Sequence, residues 1–250
     1  MWVVSLIVLI YGGCCAYLYL AQRSFIYYPV PASANVAAED LRVDLDGATL
    51  QIWRLHATKE EAVVYFGGNA EDVSQNVAQF ARLFPDKAVY LVNYRGYGAS
   101  SGSPTETALF ADAQALFDRF SAQHAGVSVI GRSLGSGVAV FLAATRSPDR
   151  VVLITPYDSI AGLAQSAFPI FPVSALLIDR FASVDYAVHA TAPVLMLIAE
   201  RDEVIPRSSS QNLAAAIDAS LITTNIVVDA THNTIQEFAE YSDALRSFLR

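Results

Sequence analysis

Cysteine is nearly absent from this 250-residue chain, and its two copies, Cys14 and Cys15, stand side by side in an apolar N-terminal stretch. The rest of the chain therefore has neither a disulfide nor a thiolate metal site. Histidine is scarce too: there are four, scattered, with no H-E-x-x-H or other paired spacing. That argues against a bound metal, and nothing in the sequence calls for a cofactor. Lys and Arg number 16 against 24 Asp and Glu, a net charge of −8. Nucleic acid, which needs basic surfaces to displace its counterions, is an improbable partner. Charged residues of both signs make up only 16%, whereas 54% are hydrophobic. That composition and length suit one large α/β domain with a buried sheet. No internal repeat or low-complexity tract interrupts it.

Charge is missing altogether from Met1 to Gln22, and Arg23 is the first charged side chain. As a helix, residues 2–20 would extend roughly 28 Å, close to the hydrocarbon thickness of a bilayer. Tyr17, Tyr19, Tyr27 and Tyr28 cluster at the C-terminal side, where an aromatic belt belongs. Residues 1–22 are thus expected to be a single-pass transmembrane anchor or an uncleaved signal segment, and residues 23–40, with Pro29 and Pro31, a tether. Residues 41–250 would be the folded domain. A cleaved signal peptide is the rival, but there is no basic n-region and no clear A-x-A site. Tyr11-Gly12-Gly13-Cys14 faintly resembles a lipoprotein cleavage box. Cys14 and Cys15 are either small apolar fillers or sites of acylation. Arg23 alone does not fix which side of the membrane the domain faces.

Beyond the tether the chain alternates. Strand-like runs at 41–45 and 48–55 are joined by Asp46-Gly47, a two-residue hairpin signal. Apolar runs follow at 62–66, 88–93, 127–130, 151–154, 194–199 and 223–228. Helical patterns lie between and after them, at 73–83, 106–122, 136–145, 208–219 and 235–249. Strands without strict alternation, each followed by a helix, predict a mostly parallel sheet buried on both faces, with the hairpin as an antiparallel edge. In such sheets chemistry belongs in the loops at the carboxyl ends of the strands.

One of those loops reads Gly131-Arg132-Ser133-Leu134-Gly135, a G-x-S-x-G pentapeptide between a strand and a small-residue stretch. Glycines two before and two after the serine remove the Cβ atoms that would collide across so sharp a turn. Ser133 is then a candidate nucleophile and the Leu134 N–H a candidate oxyanion donor. A serine hydroxyl needs a base, and of the four histidines only His232 follows the carboxyl end of a late strand. The base needs an anion to fix its tautomer. Asp202, in the acidic loop Glu200-Arg201-Asp202-Glu203, is favoured over Asp158, which opens at the same face. Glu200 and Glu203 read as solvated charges. Phe66-Gly67-Gly68-Asn69 follows the first parallel strand. Gly67 and Gly68 permit a ligand close to the backbone, and Asn69 N–H is the second candidate oxyanion donor; Asn69 also suits a helix N-cap.

These segments resemble the α/β-hydrolase superfamily. The pentapeptide at Ser133, Glu200-Arg201-Asp202-Glu203-Val204-Ile205-Pro206 and Thr231-His232-Asn233 look like its three catalytic loops. Asn93-Tyr94-Arg95-Gly96-Tyr97-Gly98-Ala99-Ser100-Ser101-Gly102 resembles the loop after its second parallel strand. Gln22-Arg23-Ser24-Phe25-Ile26-Tyr27-Tyr28-Pro29, behind an apolar N-terminus, is similar to its single-span, membrane-anchored serine hydrolases. Relatives usually carry histidine where this chain has Gly67. The resemblance implies an α/β-hydrolase fold with a minimal lid between residues 157 and 192. It also implies a Ser133–Asp202–His232 triad cleaving an ester or thioester through an acyl-enzyme. The substrate would be a small-molecule or lipid-like acyl ester, or an acylated protein. A serine peptidase and a catalytically idle binding module on the same fold are the alternatives, whereas haloalkane and epoxide chemistry would require aspartate at position 133.

Overall fold

The structure, a computed structural model, describes residues 1–34 and 36–250. The chain begins with an apolar helix, α1 (Trp2–Ile26), long and apolar enough to cross a membrane, with a mean hydropathy of 2.1 over its most apolar window. It runs on past residue 22 to Ile26, because Gln22, Arg23 and Ile26 all find partners on the folded domain. Residues 27–34 then lie against that domain rather than hanging free. Tyr27 is buried, and Val30 O accepts from Gly98 N at 2.9 Å. Proline and small residues suggested a loose tether; the buried aromatic is what pins it.

The sheet has eight strands: β1 (Glu39–Leu45), β2 (Ala48–Leu55), β3 (Glu61–Phe66), β4 (Lys87–Val92), β5 (Gly126–Arg132), β6 (Val151–Ile154), β7 (Val194–Ala199) and β8 (Ile222–Val227). Their spatial order is β1-β2-β4-β3-β5-β6-β7-β8. β1 and β2 pair antiparallel across the Asp46-Gly47 turn, with Gly47 at φ 71, and β2 meets β4 antiparallel. Every pair from β4 to β8 is parallel. Alternate residues feed two cores. Val64, Val129, Leu153 and Met196 pack under α3 (Glu106–Ser121), α4 (Leu134–Thr145) and α8 (Arg207–Ala216). Val63, Ile130, Val152 and Leu195 pack under α2 (Val77–Leu83) and α9 (Ala239–Phe248). Burial on both faces accounts for the unbroken apolar runs.

Two helical patterns are each split in the fold. A 3₁₀ turn (Val73–Asn76), started by the Asp72 carboxylate on Ser74 N, precedes α2. Another (Ile235–Glu237) is separated from α9 by extended Phe238. The lid consists of α5 (Ile160–Ala167), α6 (Val173–Leu176) and α7 (Ser183–Ala187), with Ser159 capping α5 through Gly162 N at 2.9 Å.

Candidate active site

Ser133 stands between β5 and α4 at φ 48, ψ −116, a backbone region costly to any residue with a side chain. The surroundings enforce it. A Cβ on Gly131 would lie 2.2 Å from Gly135 O, and one on Gly135 would lie 2.0 Å from Phe66 O, so neither position admits a larger residue without moving backbone. Strand, turn and helix are therefore in near contact, and the Ser133 side chain is left above the sheet.

The late-strand loops converge on it. The Ser133 hydroxyl donates to His232 Nε2 at 3.0 Å. His232 Nδ1 meets both carboxylate oxygens of Asp202, at 3.0 and 2.9 Å. A carboxylate there holds the ring proton on Nδ1 and leaves the Nε2 lone pair for the serine. Both partners are nearly fully buried, with side chains 7% and 6% exposed. Asp202 is itself fixed, its Oδ1 accepting from Val204 N (2.9 Å) and Ile205 N (2.7 Å). Asp158 is held elsewhere: its carboxylate takes Ser159 N, Ser209 Oγ and Asn212 Nδ2, which ties the lid to α8.

The oxyanion-loop candidates also surround the serine. A Cβ on Gly68 would come within 3.5 Å of Ser133 Cβ. Leu134 opens α4 and so has no intrahelical acceptor for its N–H. Among the described residues, Asn69 N–H has no protein acceptor either. Asn69 is not a helix cap, since Asp72 takes that role; its side chain is a clasp instead. Nδ2 donates to Ile26 O at 2.6 Å, and Oδ1 accepts from Tyr28 N and Tyr97 Oη at 2.9 and 2.8 Å. Tyr94 Oη donates to Gly67 O at 2.8 Å. Burial above all pushes the Tyr94 phenol well above its usual range and keeps it a donor.

Several residues without a sequence-level role hold these loops. Glu71 gathers Tyr65 Oη (2.7 Å), Gly68 N (2.5 Å) and Asn76 Nδ2 (2.6 Å), and pairs with Arg132 Nη1 at 3.0 Å. Arg132 Nη2 also reaches His232 O at 3.2 Å, so one guanidinium bridges the loop after β3 and the histidine loop. Burial first, then the Glu71 charge, pushes the Tyr65 hydroxyl up, so it too remains a donor. Glu203 accepts His232 N at 3.1 Å and Glu200 accepts Asp229 N at 3.0 Å. Both residues are exposed, as their loop suggested, and both also brace the loop that carries the base. The only sequence hint was a charge, Arg132, inside an otherwise small-residue turn.

Beside Ser133 lies a cavity of about 380 Å³. Leu134, Tyr157 and Ile205 line its inner side and exposed Val204 its edge, Ile160, Leu163 and Leu176 come from the lid, and Leu18, Gln22, Phe25 and Ile26 of α1 complete the wall. No metal-binding cluster of His, Cys, Asp or Glu occurs among the described residues.

The chain matches no protein-family model. It is 34% identical over 229 residues to an uncharacterized protein of Mycobacterium tuberculosis, covering 86% of this chain and 82% of that one. It is 31% identical over 193 residues to alpha/beta hydrolase domain-containing protein 17B of Homo sapiens, covering 75% of this chain and 65% of that one. Among solved structures, the Pyrococcus furiosus esterase Pf2001 superposes with a TM-score of 0.68 at 20% identity, over 89% of this chain and 97% of that one.

Proposed function

We propose that this chain, which belongs to the α/β-hydrolase superfamily, is a membrane-anchored serine hydrolase that cleaves an ester or thioester of an acyl group. One observation carries the reading: the unbroken line from the Ser133 hydroxyl through His232 to both oxygens of Asp202, mounted on a strained turn. In this reading His232 Nε2 removes the Ser133 proton as Oγ attacks the carbonyl carbon. Asp202 stabilises the imidazolium so formed. The N–H groups of Leu134 and Asn69 receive the tetrahedral oxyanion, whose charge is worth most to stabilise in a water-poor site. His232 then returns its proton to the departing alcohol or thiol. Water repeats the sequence on the acyl-enzyme and frees the acid and Ser133.

The apolar lining of the cavity suits an acyl chain of a lipid-like ester or an acylated protein, and its volume lies in the range of small-molecule sites. The contacts of Gln22, Arg23 and Ile26 with the domain favour an apolar helix that is retained as an anchor rather than cleaved as a leader. Residues 41–250 carry the catalytic side chains in this reading, and α1 completes the wall of the cavity.

A fluorophosphonate probe tests it. Wild-type protein is labelled and Ser133→Ala is not; labelling that ignores Ser133 ends the hydrolase reading. His232→Ala lowers ester turnover by up to about a million-fold. Asp202→Asn is severely impaired while Asp158→Asn keeps most of its activity; the reverse ordering would move the acid to position 158.

A further inference from the structure

The chain contains two long charge-free runs: residues 1–22 and, in the lid, residues 159–178. The fold lays the second along the first. Tyr11 Oη donates to Ile170 O at 2.8 Å, and its ring stacks on Phe171 with centroids 5.5 Å apart. Further along, Gln22 donates to Leu176 O at 3.1 Å and accepts Ile178 N at 2.6 Å. Where both runs end, Arg23 pairs with Asp179 at 3.1 Å. The result is a slab whose own side chains carry no charge, closed at one level by the Arg23–Asp179 pair and by the Arg180 guanidinium, which donates to Leu177 O and Ser174 O at 3.3 and 2.6 Å.

Its dimensions match a bilayer. From Tyr11 to Arg23 the helix rises about 18 Å, and residues 2–10 beyond the lid tip add roughly 13 Å. Together they equal the ~30 Å hydrocarbon core; residues 2–10 alone would fill less than half of it. A lid kept in water would thus leave the helix too short to span. Apart from the Ile170 N–H, the lid tip is also furnished for a medium without water. Phe168, Pro169, Ile170 and Pro172 are exposed and apolar, Ile170 at 72%. The two prolines bring no N–H, and the tip carbonyls are served internally. Gln165 Nε2 reaches those of Phe168, Pro169 and Phe171 at 3.2–3.5 Å, and Tyr11 takes that of Ile170. Backbone at membrane depth survives only where such partners exist.

We propose that residues 159–178 are a second membrane-inserted element, sunk in the hydrocarbon beside α1 to the level of the Arg23–Asp179 pair. The pocket walled by Leu18, Phe25, Leu163 and Leu176 then faces lipid, and the acyl chain reaches Ser133 sideways from the bilayer. The insertion stands on its own; the access route rests on the hydrolase reading.

Two measurements on the full chain, reconstituted in phosphatidylcholine vesicles, test the two parts separately. In a Trp2→Phe background only buried Trp53 remains, and Ile170→Trp places a reporter at the lid tip. Lipids brominated near the chain terminus should quench that reporter more strongly than lipids brominated near the headgroup. Quenching mainly near the headgroup, or none, overturns the insertion. Separately, Ile170→Asp should slow hydrolysis of a long-chain ester dissolved in the vesicles by about tenfold or more. Hydrolysis of a water-soluble acetate ester should be unchanged. Equal rates on the long-chain ester overturn the lateral route. A wild type that cleaves neither ester removes the hydrolase reading and leaves the quenching result to decide insertion.

Discussion

Replacing Gly135 with alanine puts a methyl group where the Phe66 carbonyl already stands. The new Cβ would lie 2.0 Å from Phe66 O and 2.7 Å from Gly67 O, whereas ordinary contact begins at 3.4 Å. Both obstacles are backbone, so no side chain can swing aside, and α4 must part from the end of β3 by about 1.4 Å. That displacement carries Ser133 and Leu134 N–H away from Asn69 N–H, which rides on the loop after β3. Misplacement of order 1 Å at a reacting centre costs about 100-fold in rate, and overpacking a dense interior costs about 1–3 kcal/mol. Gly135→Ala should therefore fold, with a urea midpoint lowered accordingly, while fluorophosphonate labelling and ester turnover fall about 100-fold or more. Gly13→Ala is the control, since nothing lies within 4 Å of its added Cβ. Circular dichroism and a zero-time labelling assay on the same samples separate misplacement from unfolding. A folded Gly135→Ala protein that keeps its rate within about threefold would refute the close-contact account of the turn.

Glu71→Gln leaves the Arg132 guanidinium without its anion in a site where the two side chains are 14% and 9% exposed. Breaking one side of such a pair costs about 3–5 kcal/mol. Urea denaturation should show that loss, and a change below about 1 kcal/mol would assign the loop to its neutral hydrogen bonds instead. Glu106 tests the lid: its carboxylate accepts Arg180 N and Phe181 N at 2.6 and 2.9 Å, and burial above all holds its pKa above the usual glutamate value of 4.5. A raised carboxyl pKa means that the folded state binds the proton more tightly. Its contribution is thus complete below 4.5 and is lost as pH climbs through the raised value. The Tm advantage of wild type over Glu106→Gln should shrink across that window, and parallel Tm curves would contradict it.

The sheet was legible because burial on both faces forces long β-branched runs, and Gly47 marks the hairpin as plainly as any residue can. Ser133, Asp202 and His232 were legible as candidates because each stands in the first loop after a strand, where a sheet of this kind gathers its ligands. Contacts across long sequence separations were not. Nothing local to Asn69 says that its amide will grip Ile26, 43 residues earlier, and nothing in Tyr11 announces Ile170. Glu200 and Glu203 are exposed, as charge in a loop normally is, but nothing in the sequence announces that both also take backbone N–H groups of the histidine loop. Residues 27–34 had the composition of a linker, and Tyr27, which read as part of an aromatic belt, is instead buried with its hydroxyl on Asp179.

The Asn69 clasp gives the N-terminal helix two kinds of residue. Those before Tyr11 touch only their surroundings, so any sufficiently greasy residue serves them, and saturation mutagenesis should find them nearly interchangeable. Leu18, Gln22, Phe25 and Ile26 are held to shape, because they wall the cavity and one carbonyl among them secures the loop that carries Asn69 N–H. Clipping the helix to obtain a soluble fragment would therefore remove part of the site itself. Swapping in a foreign membrane helix would succeed only if the exchange stopped short of the last four turns.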